Sequence, residues 1–312
     1  MDVVLLFPGQ GSQKPGMAKD LVDAVPAARD TFAAVDAALG EPLSLLCFNG
    51  PAESLTLTHN AQPALLAHGA AVWAVVRERV APHVRAAAGH SLGEFSAYHA
   101  AGTVDIAAAA RLVRRRGMLM LESGERRPGT MAAILGDVDG GIEAICARAT
   151  SEGGCVVPAN YNSPGQVVIS GEVTAVERAM ELAKAAGAKR AIRLNVSGAF
   201  HSPLMEVARD GLADALDAAG LRDPAFPVYA NVTAEPVRRA AEARRLLLEQ
   251  LTAPVAWTRL VERLAADYPG ALFVEMGPGN VLTGLVRKIA PAVQTATCGT
   301  LPEVEQLLAR VA

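Results

Sequence analysis

Val84-Arg85-Ala86-Ala87-Ala88-Gly89-His90-Ser91-Leu92-Gly93-Glu94-Phe95 decides how this chain is read. An apolar stretch, Val84 to Gly89, ends at a Gly-His-Ser turn, and a helical stretch, Ser91 to Ala101, then runs to Gly102. A strand, a tight turn and a helix around G-x-S-x-G form the pattern of a nucleophile elbow. Glycine two residues either side of the serine lets neighbouring elements approach without a Cβ clash. The turn exposes the serine oxygen at the carboxyl end of a sheet and at a helix N-terminus, where amides and the dipole favour developing negative charge. The pentapeptide alone also suits a plain glycine-rich connection. The strand–turn–helix setting favours the functional reading.

Upstream, the apolar run Val3 to Phe7 stops at Pro8-Gly9, as a buried strand feeding a tight loop does. Ala27 to Leu39, roughly Gln62 to Val80, and residues 105 to 122 read as helices, the last carrying Arg111, Arg114, Arg115 and Arg116. A different rhythm follows. Met131 to Gly136 is a strand, Val138 to Thr150 a helix, Cys155 to Ala159 and Gln166 to Ser170 strands, Val173 to Ala186 a helix, and Arg190 to Asn195 a strand. This β-α-β-β-α-β order is ferredoxin-like. Val228 to Asn231 and Leu272 to Met276 are later buried strands. The expected fold is α/β, a parallel-sheet core formed by 1–126 and 197–312 with a ferredoxin-like α+β subdomain, 127–196, inserted in it.

The chain has 312 residues, 51% apolar and 20% charged, an ordinary globular composition. Its net charge of −3 excludes an overall basic footprint for nucleic acid. The longest lipid-like stretch, Ala64 to Val76, is broken by His68 and Gly69 and is too short to span a bilayer. Met1-Asp2 followed by a few apolar residues lacks the basic region of a secretory signal. Four cysteines with no C-x-x-C pair suit buried thiols in a reducing cytoplasm, and no metal site is expected.

A nucleophilic serine needs a base. Of six histidines, His68, His83 and His99 read as ordinary helix or helix-end residues, and His90 adjoins the serine in sequence. His201 lies in a loop, Ser197-Gly198-Ala199-Phe200-His201-Ser202-Pro203, where catalytic groups are often held. From position alone, it is a base or merely a buried histidine, and no Asp or Glu near it stands out as a third member. The loop Pro8-Gly9-Gln10-Gly11-Ser12-Gln13 can offer an N–H to an oxyanion, but lacks the Lys-Ser/Thr of a P-loop. Gly277-Pro278-Gly279 reads as a structural turn.

Taken together, Pro8–Gln13, Gly89–Glu94, Arg116-Gly117, Asn160-Tyr161-Asn162-Ser163-Pro164-Gly165-Gln166, Ala199-Phe200-His201-Ser202 and Glu275-Met276-Gly277-Pro278-Gly279 follow in that order. This resembles the malonyl-CoA:acyl-carrier-protein transacylase family of fatty acid synthesis and polyketide acyltransferase domains, over nearly the whole chain. The resemblance implies an α/β-hydrolase-like core with the ferredoxin-like insertion. It implies Ser91 as nucleophile, His201 as base and then acid, and the amides of Gln10 and Leu92 as oxyanion hole. Arg116 would hold the malonyl carboxylate, Gln250 would orient His201 through its main-chain carbonyl, and Asn160 would lie near the cleft. Phe200 in Ala-Phe-His resembles the malonyl-type signature, where a Ser accompanies methylmalonyl selection. The substrates would be malonyl-CoA and acyl carrier protein, with no cofactor, no nucleic-acid or membrane partner, and a monomeric state. Carrier proteins are acidic, so Lys184, Lys189, Arg190 and Arg193, and also Arg287-Lys288, are candidate docking cations. Sequence spacing alone would not single out Arg116, and Arg114 and Arg115 read as a solvated helix face. A serine acyl hydrolase or thioesterase editing carrier protein is the alternative. A carboxylate clamp discriminates against it, and an intact Ser91, His201 and Arg116 argue against a non-enzymatic module.

Overall fold

The five residues Val3–Phe7 form an unbroken buried strand, and alternate side chains enter different cores. Val3, Leu5 and Phe7 join the core on one face of the sheet, whereas Val4 and Leu6 join a separate core on the other. A strand covered on both faces has no polar side, so its sequence does not alternate. This computed structural model describes residues 1–311. In chain order its strands are β1 (Val3–Phe7), β2 (Val84–Gly89), β3 (Gly129–Leu135), β4 (Val156–Ser163), β5 (Gln166–Glu172), β6 (Arg190–Arg193), β7 (Val228–Tyr229), β8 (Pro236–Val237), β9 (Leu272–Met276) and β10 (Gln294–Cys298).

A six-stranded sheet has the order β10-β9-β1-β2-β7-β8, parallel except for the β7–β8 pair. Helices Thr58–Val80, Leu92–Ala100 and Ile106–Arg126 cover one face, and Trp257–Asp267 and Val281–Ile289 cover the other. The β1–β2 register pairs Phe7 with Gly89, so the loop at Pro8 and the elbow leave the sheet side by side. The crevice beyond the carboxyl ends of parallel strands is where such sheets hold ligands.

A separate four-stranded antiparallel sheet, order β4-β5-β3-β6, carries helices Ile142–Ser151 and Val173–Ala185 on its own core. It is joined to the first body through β4. Tyr161 N–H donates to the Val255 carbonyl at 2.9 Å, and Val255 N–H donates to the Ala159 carbonyl at 2.8 Å.

Several element boundaries differ from the sequence reading. The helix expected from Val138 begins at Ile142, because Gly140 and Gly141 both have positive φ. The strand expected to end at Ala159 runs to Ser163, its register shifting between Pro158 and Asn160, where a bulge accommodates the proline. The helix expected from Gln62 begins at Thr58 and contains Pro63. Proline lacks the N–H that the His59 carbonyl would accept, and the Arg114 guanidinium donates to that carbonyl instead, at 2.7 Å. Arg114 also donates to Asn60 and pairs with Glu41, so it is a helix-to-helix tie and not a solvated residue. Arg115 is half exposed and faces Glu122 at 3.5 Å. Among the described residues no helix is long and apolar enough to cross a membrane. The four cysteines are free thiols, and Cys47, Cys146 and Cys298 are buried.

Candidate active site

Ser91 has φ 51° and ψ −104°, a left-handed backbone that non-glycine residues rarely adopt. Close packing holds it there. A Cβ at Gly89 would lie 1.9 Å from the Gly93 carbonyl carbon, and one at Gly93 would lie 2.0 Å from the Phe7 carbonyl oxygen. Both glycines of the pentapeptide are therefore steric requirements of the β1–β2–helix junction. Ser91 precedes helix Leu92–Ala100, whose Gly93 and Glu94 N–H groups are taken up by the His90 and Ser91 carbonyls.

His201 also has positive φ, 56°, and is buried. Its Nε2 lies 2.8 Å from Ser91 Oγ and its Nδ1 lies 2.9 Å from the Gln250 main-chain oxygen. A carbonyl can only accept, so Nδ1 carries the proton and Nε2 is free to accept one from Ser91. Burial and the neighbouring Arg116 cation lower the His201 pKa to about 3, which keeps the resting imidazole neutral.

Arg116 is 1% exposed. Its Nη1 donates to Gln62 Oε1 at 2.7 Å, and its Nη2 donates to Gln250 Oε1 at 2.9 Å and to Ser91 Oγ at 3.2 Å. All three acceptors are neutral. Among the described residues its Nε has no partner, and the guanidinium lies 5.1 Å from the Phe95 ring centre. Burial lowers its pKa to about 10, so it stays charged at neutral pH. Gly117 lets this helix close on its neighbour, since a Cβ there would lie 2.6 Å from His59 Cα. That approach brings Arg116 to Gln62.

A cavity of about 360 Å³ opens over these groups, and Gln10, Ser91, Leu92, Arg116, Asn160, Phe200 and His201 all line it. Gln250 stands behind Arg116 and His201, fully buried. The structure thus brings all eight sequence-derived residues to one place. His90 lines the cavity too, with Nε2 2.8 Å from Asn162 Oδ1, turned away from a base role toward Ser91. Sequence reasoning missed Gln62 and Asn231. The latter accepts the Ser91 N–H at 2.7 Å and donates to the Gly89 carbonyl at 2.7 Å, bracketing the strained residue. It also assigned nothing to Glu94, a fully buried carboxylate inside the motif. Among the described residues no three His, Cys, Asp or Glu side chains gather as a metal site requires.

Burial has a consequence for acid stability. His68, His90, His99 and His201 all have pKa values lowered chiefly by desolvation, to about 4 for His68. Their imidazoles take up protons on unfolding below about pH 6.5, so this contribution is present above that pH and is lost as pH falls. Glu94 and Glu275, raised by burial, act in the opposite sense because the folded state protonates first. The imidazoles outnumber them. Stability is expected to fall as pH drops from 6.5 toward 4, carried by His68 and His201, which folding holds at about 4 and about 3. Denaturant unfolding at several pH values checks this, and a flat profile from pH 7 to 5 would contradict it.

The chain matches the acyl transferase domain over residues 4–306. It is 46% identical over 294 residues to the malonyl CoA-acyl carrier protein transacylase of Bacillus subtilis, covering 94% of this chain and 92% of that protein. The crystal structure of acyl-carrier-protein-S-malonyltransferase from Bartonella henselae superposes with a TM-score of 0.94 at 43% identity, over 100% of this chain and 99% of that one. A malonyl-transacylase in complex with its type II PKS acyl-carrier protein gives a TM-score of 0.94 at 42% identity, over 99% and 100% of the two chains. The chain belongs to the malonyl-CoA:acyl-carrier-protein transacylase family.

Proposed function

We infer that the protein transfers a malonyl group from coenzyme A to the phosphopantetheine thiol of an acyl carrier protein through a malonyl ester on Ser91. Ser91 Oγ passes its proton to His201 Nε2 and attacks the thioester carbonyl. The N–H groups of Gln10 and Leu92 stabilise the oxyanion. Collapse expels the coenzyme A sulfur, which takes the proton from Nε2. In the second half the carrier thiol gives its proton to Nε2 and attacks the ester, and Ser91 leaves with that proton. Atoms and charge balance without a cofactor. One observation carries the reading: a buried arginine held only by neutral groups, 3.2 Å from the nucleophilic oxygen, is an unmet demand for a carboxylate. A hydrolase of neutral acyl groups has no use for it. Asn160 and Phe200 line the acyl and thiol end. The 2.9 Å carbonyl contact from Gln250 supports its role in orienting His201.

Strand order and crossovers support an α/β-hydrolase-like core, 1–126 and 197–312, with 127–196 as a ferredoxin-like insertion. We further propose a monomer acting in the cytoplasm, to which four free thiols are suited. The test is mass spectrometry of the Ser91 peptide. It should gain one malonyl group with malonyl-CoA and lose it when holo carrier protein is added. Loss of the ester to water at the same rate without carrier protein would favour the hydrolase.

Carrier docking is proposed at the edge strand β6. Lys189 and Arg190 are exposed and form no ion pair among the described residues, whereas Arg193 faces Glu177 at 3.2 Å. The chain runs from them directly into the cavity wall at Leu194, Asn195 and Val196. Reversing Lys189 and Arg190 together is expected to raise KM for carrier protein several-fold and spare malonyl-CoA. Equal effects on both substrates, or none, would remove the site from β6.

A further inference from the structure

Behind the reactive groups lies a buried polar network that the transfer reaction does not itself use. Glu94 is fully buried, and one of its oxygens, Oε2, accepts from Gln250 Nε2 at 2.7 Å and from Asn231 N–H at 3.1 Å, while Oε1 has no partner among the described residues. The Gln250 side chain therefore spans the Glu94 carboxyl and the Arg116 cation. Its Nε2 faces Glu94 and its Oε1 accepts from Arg116 Nη2 at 2.9 Å. An amide can turn end for end, and the reversed amide would set NH2 against the guanidinium, donor to donor. Glu94 Oε2 forbids this, because it also receives the Asn231 N–H and so stands as an acceptor toward Gln250. Nε2 also reaches the Ser91 carbonyl at 3.1 Å, a second acceptor that favours the same orientation.

We propose that Glu94 is a positioning residue for Arg116: by accepting from Gln250 it fixes the polarity of that amide, and the amide holds the guanidinium where an acyl carboxylate meets it. The proposal rests on the reading of Arg116 as the carboxylate-binding group. Glu94 orients the cation without pairing with it, since the Gln250 amide is interposed between the carboxyl and the guanidinium. Asn231 shares the same carboxyl oxygen and brackets Ser91, so one buried carboxyl braces both the clamp and the elbow.

The discriminating readout is the ratio of kcat/KM for Ser91 acylation by malonyl-CoA and by acetyl-CoA, which a general loosening of the fold would leave unchanged. Glu94→Leu removes the acceptor, and the malonyl-to-acetyl ratio is expected to fall about tenfold or more, as for a lost hydrogen bond at a charged group. Glu94→Gln can still present an oxygen to Gln250 and Asn231, and is expected to keep the ratio within about threefold of the parent by the same reasoning. Gln250→Glu, which preserves the main-chain carbonyl, places a competing carboxylate against Arg116 and should lower malonyl transfer more than acetyl transfer, even if Glu94→Leu fails to fold. Equal losses for both thioesters in Glu94→Leu, an unchanged ratio in Gln250→Glu, or a Glu94→Gln ratio as low as that of Glu94→Leu would overturn the proposal. Arg116→Ala run alongside separates the two claims. If it leaves the ratio unchanged, the reading of Arg116 itself fails. If it collapses the ratio and the Glu94 variants do not, only the role of Glu94 fails.

Discussion

Ser91→Ala is expected to abolish covalent acylation by malonyl-CoA while the protein remains folded. The alanine keeps the Cβ that already sits at φ 51°, so the elbow is no more strained than before. Its backbone N–H still donates to Asn231 Oδ1. What disappears is one oxygen, with its bonds to His201 Nε2 and Arg116 Nη2. Each of those groups keeps other partners, Gln250 O for the imidazole and two amide oxygens for the guanidinium. The stability change should therefore stay within the ~2–4 kcal/mol of two hydrogen bonds, one of them to a charged group. The chemical change is total, since among the described residues Ser91 is the hydroxyl bonded to His201. Intact-mass measurement after incubation with malonyl-CoA checks it, and an ester on the variant would mean that the elbow is not the acyl carrier. His201→Ala is expected to retain the ester-forming oxygen but slow acylation by ~10²–10⁴, the usual cost of losing a general base. A variant that acylates at the normal rate would remove His201 from the mechanism.

The elbow was legible because sterics write it into sequence. Gly89 and Gly93 are demanded by contacts closer than any side chain allows, and the strand before them is apolar on both faces. The rest of the site is assembled across distance. His201 lies 110 residues from Ser91, in a loop with no periodicity to mark it, and only the family resemblance selects it over five other histidines. Its third partner is a backbone oxygen, which Gln250 would supply whatever its side chain, so no residue type could announce it. Asn231 reads in sequence as the end of a buried strand, whereas the strand stops at Tyr229, and the role of Asn231 depends on β7 lying beside β2. Glu94 stood inside the quoted motif, yet acidic residues in a first helical turn are ordinarily read as favourable to the dipole, and its complete burial appears only in three dimensions. Arg114 escaped for a related reason. The carbonyl that it satisfies is left open by a proline 51 residues earlier, at position 63. β10 was missed because Gln294–Cys298 is only partly buried, and its threonines dilute the apolar pattern.

Arg116→Ala is expected to cut malonyl transfer by two to three orders of magnitude while sparing or raising acetyl transfer. Removing one partner of a buried charge pair costs about 3–5 kcal/mol, and the malonyl carboxylate would lose the one arginine or lysine that lines the cavity among the described residues. Planar guanidinium geometry matters here, because Nη1 and Nη2 are already committed to Gln62 and Gln250, and the group cannot swing to compensate. Acetyl has no carboxylate, so in the parent protein it leaves a buried cation unpaired, and deleting the cation removes that penalty. Phe200 bears on a different part of the acyl group. Its ring is 6% exposed and forms part of the cavity wall beside His201, where an α-methyl substituent would need space. Phe200→Ser is expected to relax exclusion of methylmalonyl by only ~1–3 kcal/mol, the worth of a methyl-sized discrimination in an apolar pocket. The two effects should separate cleanly in kcat/KM for malonyl-, methylmalonyl- and acetyl-CoA on the three proteins. Malonyl and methylmalonyl both carry the carboxylate, so Arg116→Ala should lower them together, whereas Phe200→Ser should change only their ratio. A fall of malonyl and acetyl transfer by the same factor in Arg116→Ala would make Arg116 a brace for Ser91 through its 3.2 Å contact, and the selectivity of the site would have to come from elsewhere in the cavity.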